Sequence, residues 1–278
     1  MKVSVIISTY NSPEWLQNVL WGYERQSYKD FEIIIADDGS QPDTGLLIQS
    51  LQAETPLDIK HVWHEDKGYR RQTILNRAIL KASTDYIIFT DGDCIPRKDF
   101  VETHMKYAEQ GRFLSGGYCK ISLPLSKAIS RKSIVDETCF KVRWLVARGA
   151  IGLSQRRKLS VRGAIASLFD WITTAKPTFN NCNSSGWKKD ILAVNGYDER
   201  MQYGGADREI GARLENHGIR GKQIRHRAIC LHLFHERGYA KKESIRKNLS
   251  IRRETRRKHI QRTPYGIQKL HQDASKNF

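Results

Sequence analysis

Residues 86–100, YIIFTDGDCIPRKDF, place two carboxylates directly after an apolar run. The run ends at Phe89, and Asp91 and Asp93 follow on either side of Gly92, which permits a tight turn. Two neighbouring anions repel each other, so the pair is stable where both face water or where a cation lies between them. The stretch therefore predicts a buried strand that ends by aiming two carboxylates at one point.

Apolar strands and amphipathic helices alternate from the start of the chain up to this stretch. Short loops connect them, and Ser12 followed by Pro13 is typical of a helix N-terminus. This alternation predicts an α/β fold with a mostly parallel sheet and helices on both of its faces. The predicted strands are 3–8, 31–36, 59–63 and 86–90, and the predicted helices are 13–26, 43–53 and 70–82.

Polar clusters follow three of these strands. In a parallel sheet, ligands bind at the carboxyl ends of the strands, so the three clusters together predict one binding site. Neither G-x-G-x-x-G nor G-x-x-x-x-G-K-[ST] occurs, which argues against the nucleotide-binding modes that need those loops. The clusters are Thr9-Tyr10-Asn11, Asp37-Asp38 and Asp91-Gly92-Asp93.

The DGD turn has two interpretations. Asp and Gly are ordinary residues of a solvated turn. Mg²⁺ and Mn²⁺ prefer oxygen ligands, however, and commonly bind one or two carboxylates together with substrate phosphates. Because Asp38 ends another parallel strand at the same edge, we favour a site for a metal ion and a diphosphate.

The second half of the chain has weaker patterns. Residues 120–175 mix basic, apolar and serine residues without a clean period, and we interpret them as helices or loops that cover the site. A helix is predicted over 206–217, and a late strand over 223–235 leads to His232 and His235. These two histidines, three residues apart in an extended segment, would point to opposite faces.

Composition limits the class of protein. The chain has 278 residues and a formal net charge of +17, which suggests a polyanionic partner such as nucleic acid, an anionic membrane surface or a phosphorylated substrate. No stretch approaches the roughly 18 apolar residues of a membrane span, and the first residues lack a signal peptide's features, so we expect a soluble, cytoplasmic protein. Five scattered cysteines without C-x-x-C spacing indicate reduced thiols.

Several motifs resemble inverting family 2 glycosyltransferases of the GT-A fold. VSVIISTYN, ADDGS and DGDCIPRKDF carry the resemblance in the first half. EDKGYRRQTILNRAI resembles the region after the third strand in bacterial chondroitin-polymerase-type transferases. NNCNSSGWKKDILAVNGYDERMQYGGADREIGARL is similar to their acceptor-side motif and to the corresponding block of β1,4-galactosyltransferases. The resemblance covers residues 1–118 and 180–236.

The resemblance implies a GT-A domain over residues 1–238, with a mostly parallel central sheet flanked by helices. Residues 1–118 would bind the nucleotide sugar and residues 119–238 the acceptor. Residues 239–278 would form a basic C-terminal helical extension. Within 237–262, eleven Lys and Arg stand against two Glu, so adsorption to anionic lipid competes with the interpretation of a solvated helix face.

The resemblance also implies roles at the donor side. Asp38 would accept a hydrogen bond from the nucleotide base, uracil in most relatives, and Asp91 would face the ribose or the donor sugar. Asp93 would ligate Mn²⁺ or Mg²⁺, which neutralises the diphosphate as it leaves, and His232 or His235 would be a further ligand. Arg70 and Arg71 could equally be exposed surface residues. The remaining nucleotide-sugar contacts would come from Thr9, Tyr10, Asn11, Gly68, Arg70, Arg71, Asn76 and Gly92.

The acceptor side centres on YGGADREIG, residues 203–211. Tyr203, Gly204 and Gly205 would contact the acceptor, because glycines permit close backbone approach. Asp207 matches the family's general base, although an Asp at a helix N-terminus also interacts favourably with the helix dipole. Relatives often carry Glu at the position of Ala206. Asp198, in NGYDER, would hold the loop.

We therefore expect a metal-dependent inverting transferase that moves a hexose or N-acetylhexosamine from a UDP-sugar to a saccharide. The acceptor would be a saccharide or lipid-linked saccharide of a bacterial surface glycan (lipopolysaccharide, capsule or O-antigen). The protein would then be peripheral on the inner face of the cytoplasmic membrane. The absence of Q-x-x-R-W favours addition of single sugars. Two alternatives are a nucleic-acid-binding protein, for which no motif is found, and a sugar-nucleotide nucleotidyltransferase, which needs a glycine-rich triphosphate loop.

Overall fold

The computed structural model describes residues 1–149, 151–236 and 241–269. Its strands are β1 (Val3–Thr9), β2 (Phe31–Asp37), β3 (Ile59–Trp63), β4 (Tyr86–Asp91), β5 (Cys94–Pro96), β6 (Arg112–Ser115), β7 (Gly117–Lys120), β8 (Ser184–Trp187), β9 (Arg220–Gln223) and β10 (Ile229–His232). Its helices are α1 (Pro13–Glu24), α2 (Pro42–Glu54), α3 (Arg71–Lys81), α4 (Phe100–Tyr107), α5 (Leu123–Lys127), α6 (Arg131–Val135), α7 (Val142–Arg148), α8 (Leu153–Ser160), α9 (Gly163–Ile172), α10 (Lys188–Ala193), α11 (Ala206–Asn216) and α12 (Lys242–Arg257), with a 3₁₀ turn at Thr138–Phe140.

Two sheets form the centre of the molecule. The larger one has the strand order β3-β2-β1-β4-β8-β6-β9, in which the first four strands are parallel and β8 runs antiparallel to both neighbours. The smaller one has the order β5-β10-β7. The predicted α/β architecture with a mostly parallel sheet is therefore confirmed, and the carboxyl ends of β1, β2, β3 and β4 lie at one edge.

The central strands are buried on both faces, which is why their sequences are continuous apolar runs rather than alternating ones. Val5 and Ile7 of β1 belong to the core that includes α1 and α2, whereas Ile6 packs with the residues of α3 on the opposite face. Residues 120–175 form five short helices, α5 to α9. All five cysteines are buried free thiols.

The predicted single strand over 223–235 is wrong. The chain forms β9, then a turn, then β10, because the N–H groups of Arg227 and Ala228 both bond to the carbonyl of Ile224. The backbone N–H and Nδ1 of His226 also bond to Asp170 Oδ1, both at 2.9 Å, which holds the turn against α9. Across the described ranges, no helix is both long enough and apolar enough to cross a bilayer.

The C-terminal helix α12 packs against α11 and is tied to the loop that precedes it. The Asn248 amide donates to the carbonyls of Gln202, Tyr203 and Gly204 at 2.9, 3.0 and 3.1 Å. The domain boundary predicted at residue 238 lies outside the described residues, and the division into domains stays a prediction. The structure nevertheless makes α12 a support of the loop that carries the predicted acceptor residues.

A buried ion pair fastens α11 to its surroundings. The carboxylate of Glu209 accepts from Arg213 Nε and Nη2 at 2.8 to 3.0 Å, and Thr255 of α12 donates to Glu209 Oε1 at 2.9 Å. Arg213 is fully buried and also donates to the carbonyls of Val194 and Gly196. This pairing removes Glu209 from the candidates for a catalytic base.

We expect Glu209→Gln to lower the free energy of unfolding by about 3 to 5 kcal/mol, because it leaves the Arg213 guanidinium buried without its counter-charge. Urea denaturation measures the change. Glu215→Gln, on the exposed side of the same helix, is the matched control and should stay within about 0.5 kcal/mol of wild type. Equal losses in the two variants would contradict the role of the ion pair.

Candidate active site

Arg71 joins the ends of β1 and β4 at the predicted site. Its guanidinium donates to Ser8 Oγ, from Nη2 at 2.8 Å and Nε at 3.1 Å, and forms an ion pair with Asp91 Oδ1. Ser8 Oγ in turn donates to Asp91 Oδ1 at 2.9 Å. Arg71 is thus directed into the site rather than to the surface, and it supplies a positive charge beside the DGD turn.

Asp38 lies buried at the end of β2, where its carboxylate is held from two sides. His64 Nε2 is 2.8 Å from Oδ1, and the backbone N–H of Arg70 donates to Oδ2 at 3.1 Å. Burial raises the pKa of Asp38, and the hydrogen bond from His64 opposes that rise. Thr9 Oγ1 and His64 Nδ1 are buried without a hydrogen-bond partner among the described residues. The cavity beside Asp38, lined by residues that include Asp37, Gly39, Ser40 and Asp66, is called the Asp38 pocket.

The residues around this pocket form its rim. Tyr10 is exposed, and its hydroxyl donates to Asp66 Oδ2 at 2.9 Å. The N–H of Gly68 donates to the other oxygen of Asp66 at 2.9 Å. Asn11 has a positive φ of 46°, and its Oδ1 accepts from the N–H of Gln41 at 2.8 Å. Polar side chains therefore line the outer edge of the pocket.

Gly92 packs closely against the end of β1. A Cβ at this position would meet Thr9 Oγ1 at 3.0 Å, and the Gly92 N–H donates to the carbonyl of Ser8 at 2.7 Å. The turn is therefore pressed against the end of β1. This contact brings Asp91 and Asp93 to the same edge of the sheet as Thr9, at the carboxyl ends of β1 and β4.

Asp93, His232 and His235 come together at the end of β10. His232 Nε2 is 4.0 Å from Asp93 Oδ1, and His235 Nε2 is 3.5 Å from Asp93 Oδ2. The two rings are stacked, with centroids 5.4 Å apart. The expectation that the histidines point to opposite faces is wrong, because β10 ends at His232 and the chain is no longer an extended strand beyond it.

The histidine ring orientations fit a cation between these groups. His232 Nδ1 lies 3.0 Å from the carbonyl oxygen of Leu233. His235 Nδ1 lies 3.1 Å from the carbonyl oxygen of Glu236. A carbonyl can only accept, so each Nδ1 carries a proton, and Nε2 is the ring atom that faces the Asp93 carboxylate. Because Nδ1 is bonded to the backbone, Nε2 is the atom of each ring that is placed to ligate a cation beside Asp93.

One group of potential ligand atoms is compact. The ligand atoms of Asp91, Asp93, Cys94 and His232 all lie within 4.8 Å of one another. Burial and the neighbouring Asp91 raise the pKa of Asp93, and His232 and His235 lower it. A divalent cation would relieve the same repulsion, so the donor set of carboxylates and imidazoles fits the expected metal.

Asp207 lies half-buried in the first turn of α11. Gly204 and Gly205 precede it with φ of 110° and 84°, a region that glycine adopts readily. Asp207 Oδ1 accepts from the N–H of Arg208 at 2.8 Å. Burial raises the pKa of Asp207, while the positive charge of Arg71 lowers it. Asp207 thus shares its electrostatic environment with the end of β4.

Two neighbours complete this side of the site. The rings of Tyr203 and Tyr69 are in edge contact, with centroids 6.3 Å apart. Ala206, at the position where the resembling sequences often carry Glu, is only 5% exposed. Tyr203 is therefore held against Tyr69, whereas Ala206 packs into the core and offers no polar group.

Other predicted residues have structural contacts. The Asn76 amide donates to the carbonyl of Tyr197 at 2.9 Å and accepts from its N–H at 2.8 Å, so it anchors the 197–199 loop, and its nucleotide contact stays a prediction without geometric support. The Arg70 guanidinium bonds to the carbonyl of Glu65, so its part in the pocket is its backbone N–H. Asp198 is buried and bonded to Arg200 and Thr263, as expected of a residue that holds its loop.

Sequence reasoning missed three residues that build the site. His64 directly follows the predicted strand 59–63, so the strand-end argument applied to the other clusters would have found it. Ser8 was assigned to the strand itself, although its hydroxyl connects Arg71 to Asp91. Asn248 lies forty-four residues after Gly204, to whose carbonyl it donates, and no local pattern signals that contact.

Asp207→Asn should raise the melting temperature at neutral pH. Since burial raises the pKa of Asp207, the folded chain binds this proton more tightly than the unfolded chain, and the charged form disfavours folding. The loss of wild-type stability caused by the charged Asp207 is absent below the ordinary carboxyl pKa. It grows as the pH rises from that value to the raised pKa of the folded chain, and it is complete above the raised pKa. Calorimetry across this range should show a gap that opens with rising pH; a gap that is largest in acid would contradict the assignment.

Two family models match the chain. One, described as glycosyl transferase family 2, matches residues 4–132, and the other, described as the N-terminal domain of galactosyltransferase, matches residues 163–236. The first contains the Asp38 pocket and the DGD turn. The second contains the 202–205 loop, Asp207 and β10.

Curated relatives carry transferase and synthase names. Validoxylamine A glucosyltransferase of Streptomyces hygroscopicus subsp. jinggangensis is 32% identical over 227 residues, which cover 78% of this chain and 52% of that protein. Chondroitin synthase of Pasteurella multocida is 26% identical over 76% of this chain and 23% of its own length. GalNAc(5)-diNAcBac-PP-undecaprenol beta-1,3-glucosyltransferase of Campylobacter jejuni is 30% identical over 53% of this chain and 48% of its own length. The chain thus spans about a quarter to a half of these relatives.

Solved structures share the fold at low identity. S. aureus TarS 1-349 in complex with UDP-GlcNAc superposes with a TM-score of 0.62 and 14% identity, covering 91% of this chain and 65% of that one. Mannosyltransferase PcManGT from Pyrobaculum calidifontis, in complex with GDP-Man and Mn²⁺, gives a TM-score of 0.57 and 19% identity, covering 85% and 58%. The likeness confirms the predicted GT-A fold.

Proposed function

Because this chain belongs to the family 2 glycosyltransferases and has the GT-A fold, we propose that it transfers a sugar from a UDP-sugar to a saccharide acceptor with inversion at the anomeric carbon. The observation that carries the proposal is the convergence of Asp93, His232 and His235 beyond the carboxyl end of β4. Asp207 lies in the same electrostatic environment. An inverting transfer needs these two parts: a place for the diphosphate and one base for the acceptor.

The Asp38 pocket is proposed to hold the nucleoside. Asp38 would accept from a base N–H, and the unpartnered Thr9 Oγ1 and His64 Nδ1 would bond to the same ligand. Tyr10 and Asn11 on the rim would border it, with Gly68 and the Arg70 N–H close by. UDP is favoured by the resemblance in the strand-end motifs and by the UDP-GlcNAc bound in TarS; the GDP-Man of PcManGT makes GDP-sugars the comparison to include.

Asp91 is proposed to bind the ribose or the donor sugar. Ser8 and Arg71 both donate to Oδ1, which leaves Oδ2 to accept from a sugar hydroxyl. Arg71 then serves two purposes, because it orients Asp91 and places a positive charge where the diphosphate would lie. Gly92 allows the backbone to approach without obstruction by a side chain.

Asp93, with His232 and His235, would hold the divalent cation. When bound, the cation supplies electrostatic stabilisation to the diphosphate leaving group. Imidazole ligands are softer than carboxylate oxygens, which favours Mn²⁺ over Mg²⁺. The Mn²⁺ in the PcManGT complex agrees with this choice.

Asp207 is proposed to be the general base. The acceptor hydroxyl oxygen forms its bond to the anomeric carbon while the bond from that carbon to the UDP oxygen breaks, and Asp207 takes the hydroxyl proton. A raised pKa suits this task, because the base must bind the proton during the reaction and release it afterwards. Tyr203, Gly204 and Gly205 would line the acceptor's approach.

The acceptor is proposed to be a saccharide of a bacterial surface glycan that is linked to a lipid or bears an anionic group. The relatives differ at this point: one name specifies validoxylamine A, one chondroitin and one a PP-undecaprenol-linked saccharide. The net charge of +17 favours a phosphorylated or membrane-borne acceptor over a neutral small molecule.

A donor panel tests the proposed function. The protein is incubated with UDP-glucose, UDP-galactose, their N-acetylated forms and GDP-mannose, with Mn²⁺ and an acceptor library, and nucleotide release is measured. Proton NMR of the product then gives the anomeric configuration. Release of UDP with an inverted linkage supports the proposal. Turnover of GDP-mannose alone, or retention of configuration, would overturn it.

Asp93→Asn should abolish transfer and weaken UDP binding in the presence of Mn²⁺, because the variant loses the anionic ligand. Isothermal titration with UDP, with and without Mn²⁺, measures the change. The matched control is Asp85→Asn, because Asp85 is exposed and lies just before β4, at the end away from the site. This variant should bind UDP as the wild type does. A variant whose UDP affinity still rises on adding Mn²⁺, by the wild-type factor, would exclude Asp93 as a ligand.

Asp207→Asn should lower kcat by roughly 10²- to 10⁴-fold while UDP binding survives, because the amide keeps the shape but cannot take the proton. Steady-state kinetics and UDP titration separate the two effects. Asp198→Asn is the comparison, since Asp198 is buried in a structural network and should act through stability. If Asp207→Asn turns over normally, the base lies on another residue.

A further inference from the structure

Helix α9 turns its apolar side toward solvent. Ile165, Leu168, Trp171 and Ile172 are 59%, 54%, 82% and 52% exposed, and their spacing of three and four residues places them on one face. We call these four residues the apolar stripe. Asp170, on the same helix, is buried. This is the reverse of the usual arrangement in a surface helix.

Buried contacts fix this orientation. Asp170 Oδ1 accepts from the N–H of His226 at 2.9 Å and lies 2.9 Å from its Nδ1, and Asp170 Oδ2 accepts from Arg227 Nε at 2.7 Å. Rotation of the helix to bury the stripe would expose these bonds and break the ion pair. The exposed stripe is therefore a consequence of the fold, not of loose packing.

The segment that contains the stripe is basic. Residues 141–176 contain eight Lys and Arg and a single acidic residue, Asp170, which Arg227 neutralises. Arg157 stacks on Phe169 of α9, with its guanidinium carbon 5.1 Å from the ring centroid, and Arg162 lies just before the helix. Leu153 of α8 is also 81% exposed. An apolar stripe with basic flanks and a tryptophan matches the chemistry of an anionic lipid surface.

We propose that α8 and α9 dock onto an anionic lipid bilayer, with the apolar stripe inserted at the level of the headgroups. A protein partner would have to combine an apolar groove with an acidic rim, whereas a bilayer with anionic headgroups supplies both properties. The proposal moves the membrane contact away from the basic segment 237–262. Within that segment α12 exposes one large apolar side chain, Leu249, and buries its other side against α11.

The docking helices are connected to the metal end of the site. Lys158 of α8 donates to the carbonyl of Tyr118 at 3.1 Å, and the Tyr118 ring lies 5.9 Å from that of His232. A bilayer contacting α8 and α9 would therefore lie near the strand that borders the site. The lipid proposal does not depend on the transfer reaction, because vesicle binding can be measured without substrates.

Vesicle co-sedimentation of the full chain tests the proposal. We expect binding to phosphatidylcholine vesicles that contain phosphatidylglycerol, little binding to phosphatidylcholine alone, and weaker binding as salt increases. Leu168→Ser with Trp171→Ser should reduce the partition coefficient at least about tenfold, because each inserted side chain contributes that order of affinity. Ile165→Ser with Ile172→Ser, on the same face, should act in the same direction.

The control pair is Leu46→Ser with Leu80→Ser, which removes exposed leucines from α2 and α3 and should bind as wild type. UDP titration and thermal melting check that each variant is folded. Wild-type vesicle binding by both stripe variants would overturn the proposal. So would a wild-type chain that is dimeric by light scattering, binds no vesicles and becomes monomeric in the stripe variants, since the stripe would then be a protein interface.

Discussion

The carboxylates close to the carboxyl end of β4 repel one another, and the other contacts of the site depend on how this repulsion is relieved. Asp91 and Asp93 are fixed there by the turn at Gly92, and Asp207 belongs to the same electrostatic environment. Arg71 forms an ion pair with Asp91 and brings a positive charge to this group. It lies at the first residue of α3, so the packing of that helix on β1 and β2 decides where the charge is delivered. Arg208 and Arg252 add positive charge near Asp207, and the two histidines face Asp93 through Nε2.

The acceptor side depends on contacts that are distant in sequence. Glu209 and Arg213 fix the position of α11, and Thr255 of α12 donates to Glu209. Asn248 of α12 donates to three consecutive carbonyls of the loop that precedes Asp207. The position of Asp207 is thus set by a helix that begins thirty-five residues later in the chain. A change in α12 would reach the site through this loop without touching a substrate.

Local patterns predicted the parallel strands and their polar ends, because both follow from short-range rules. Strand 59–63 was placed correctly, and the others were within a residue or two. The misses share one physical cause, which is that tertiary contacts decided them. The histidine orientation depends on where β10 ends, and the turn at 224–228 depends on Asp170. Charge counts located basic segments correctly, but could not reveal that α9 buries its acid and exposes its apolar face.

The unsatisfied groups of the site connect stability with binding. Buried Thr9 Oγ1 and His64 Nδ1 lack partners among the described residues, and burial disfavours the charged forms of Asp93 and Asp207. Each of these costs is present in the folded chain and absent in the unfolded one, so they reduce the free energy of unfolding. A bound nucleotide and cation would satisfy the polar atoms and neutralise the carboxylates, and would do so only in the folded state. The groups that lower the stability of the free chain therefore favour binding of a nucleotide together with a cation: the cation would neutralise the carboxylates, and the nucleotide would hydrogen-bond to the polar atoms.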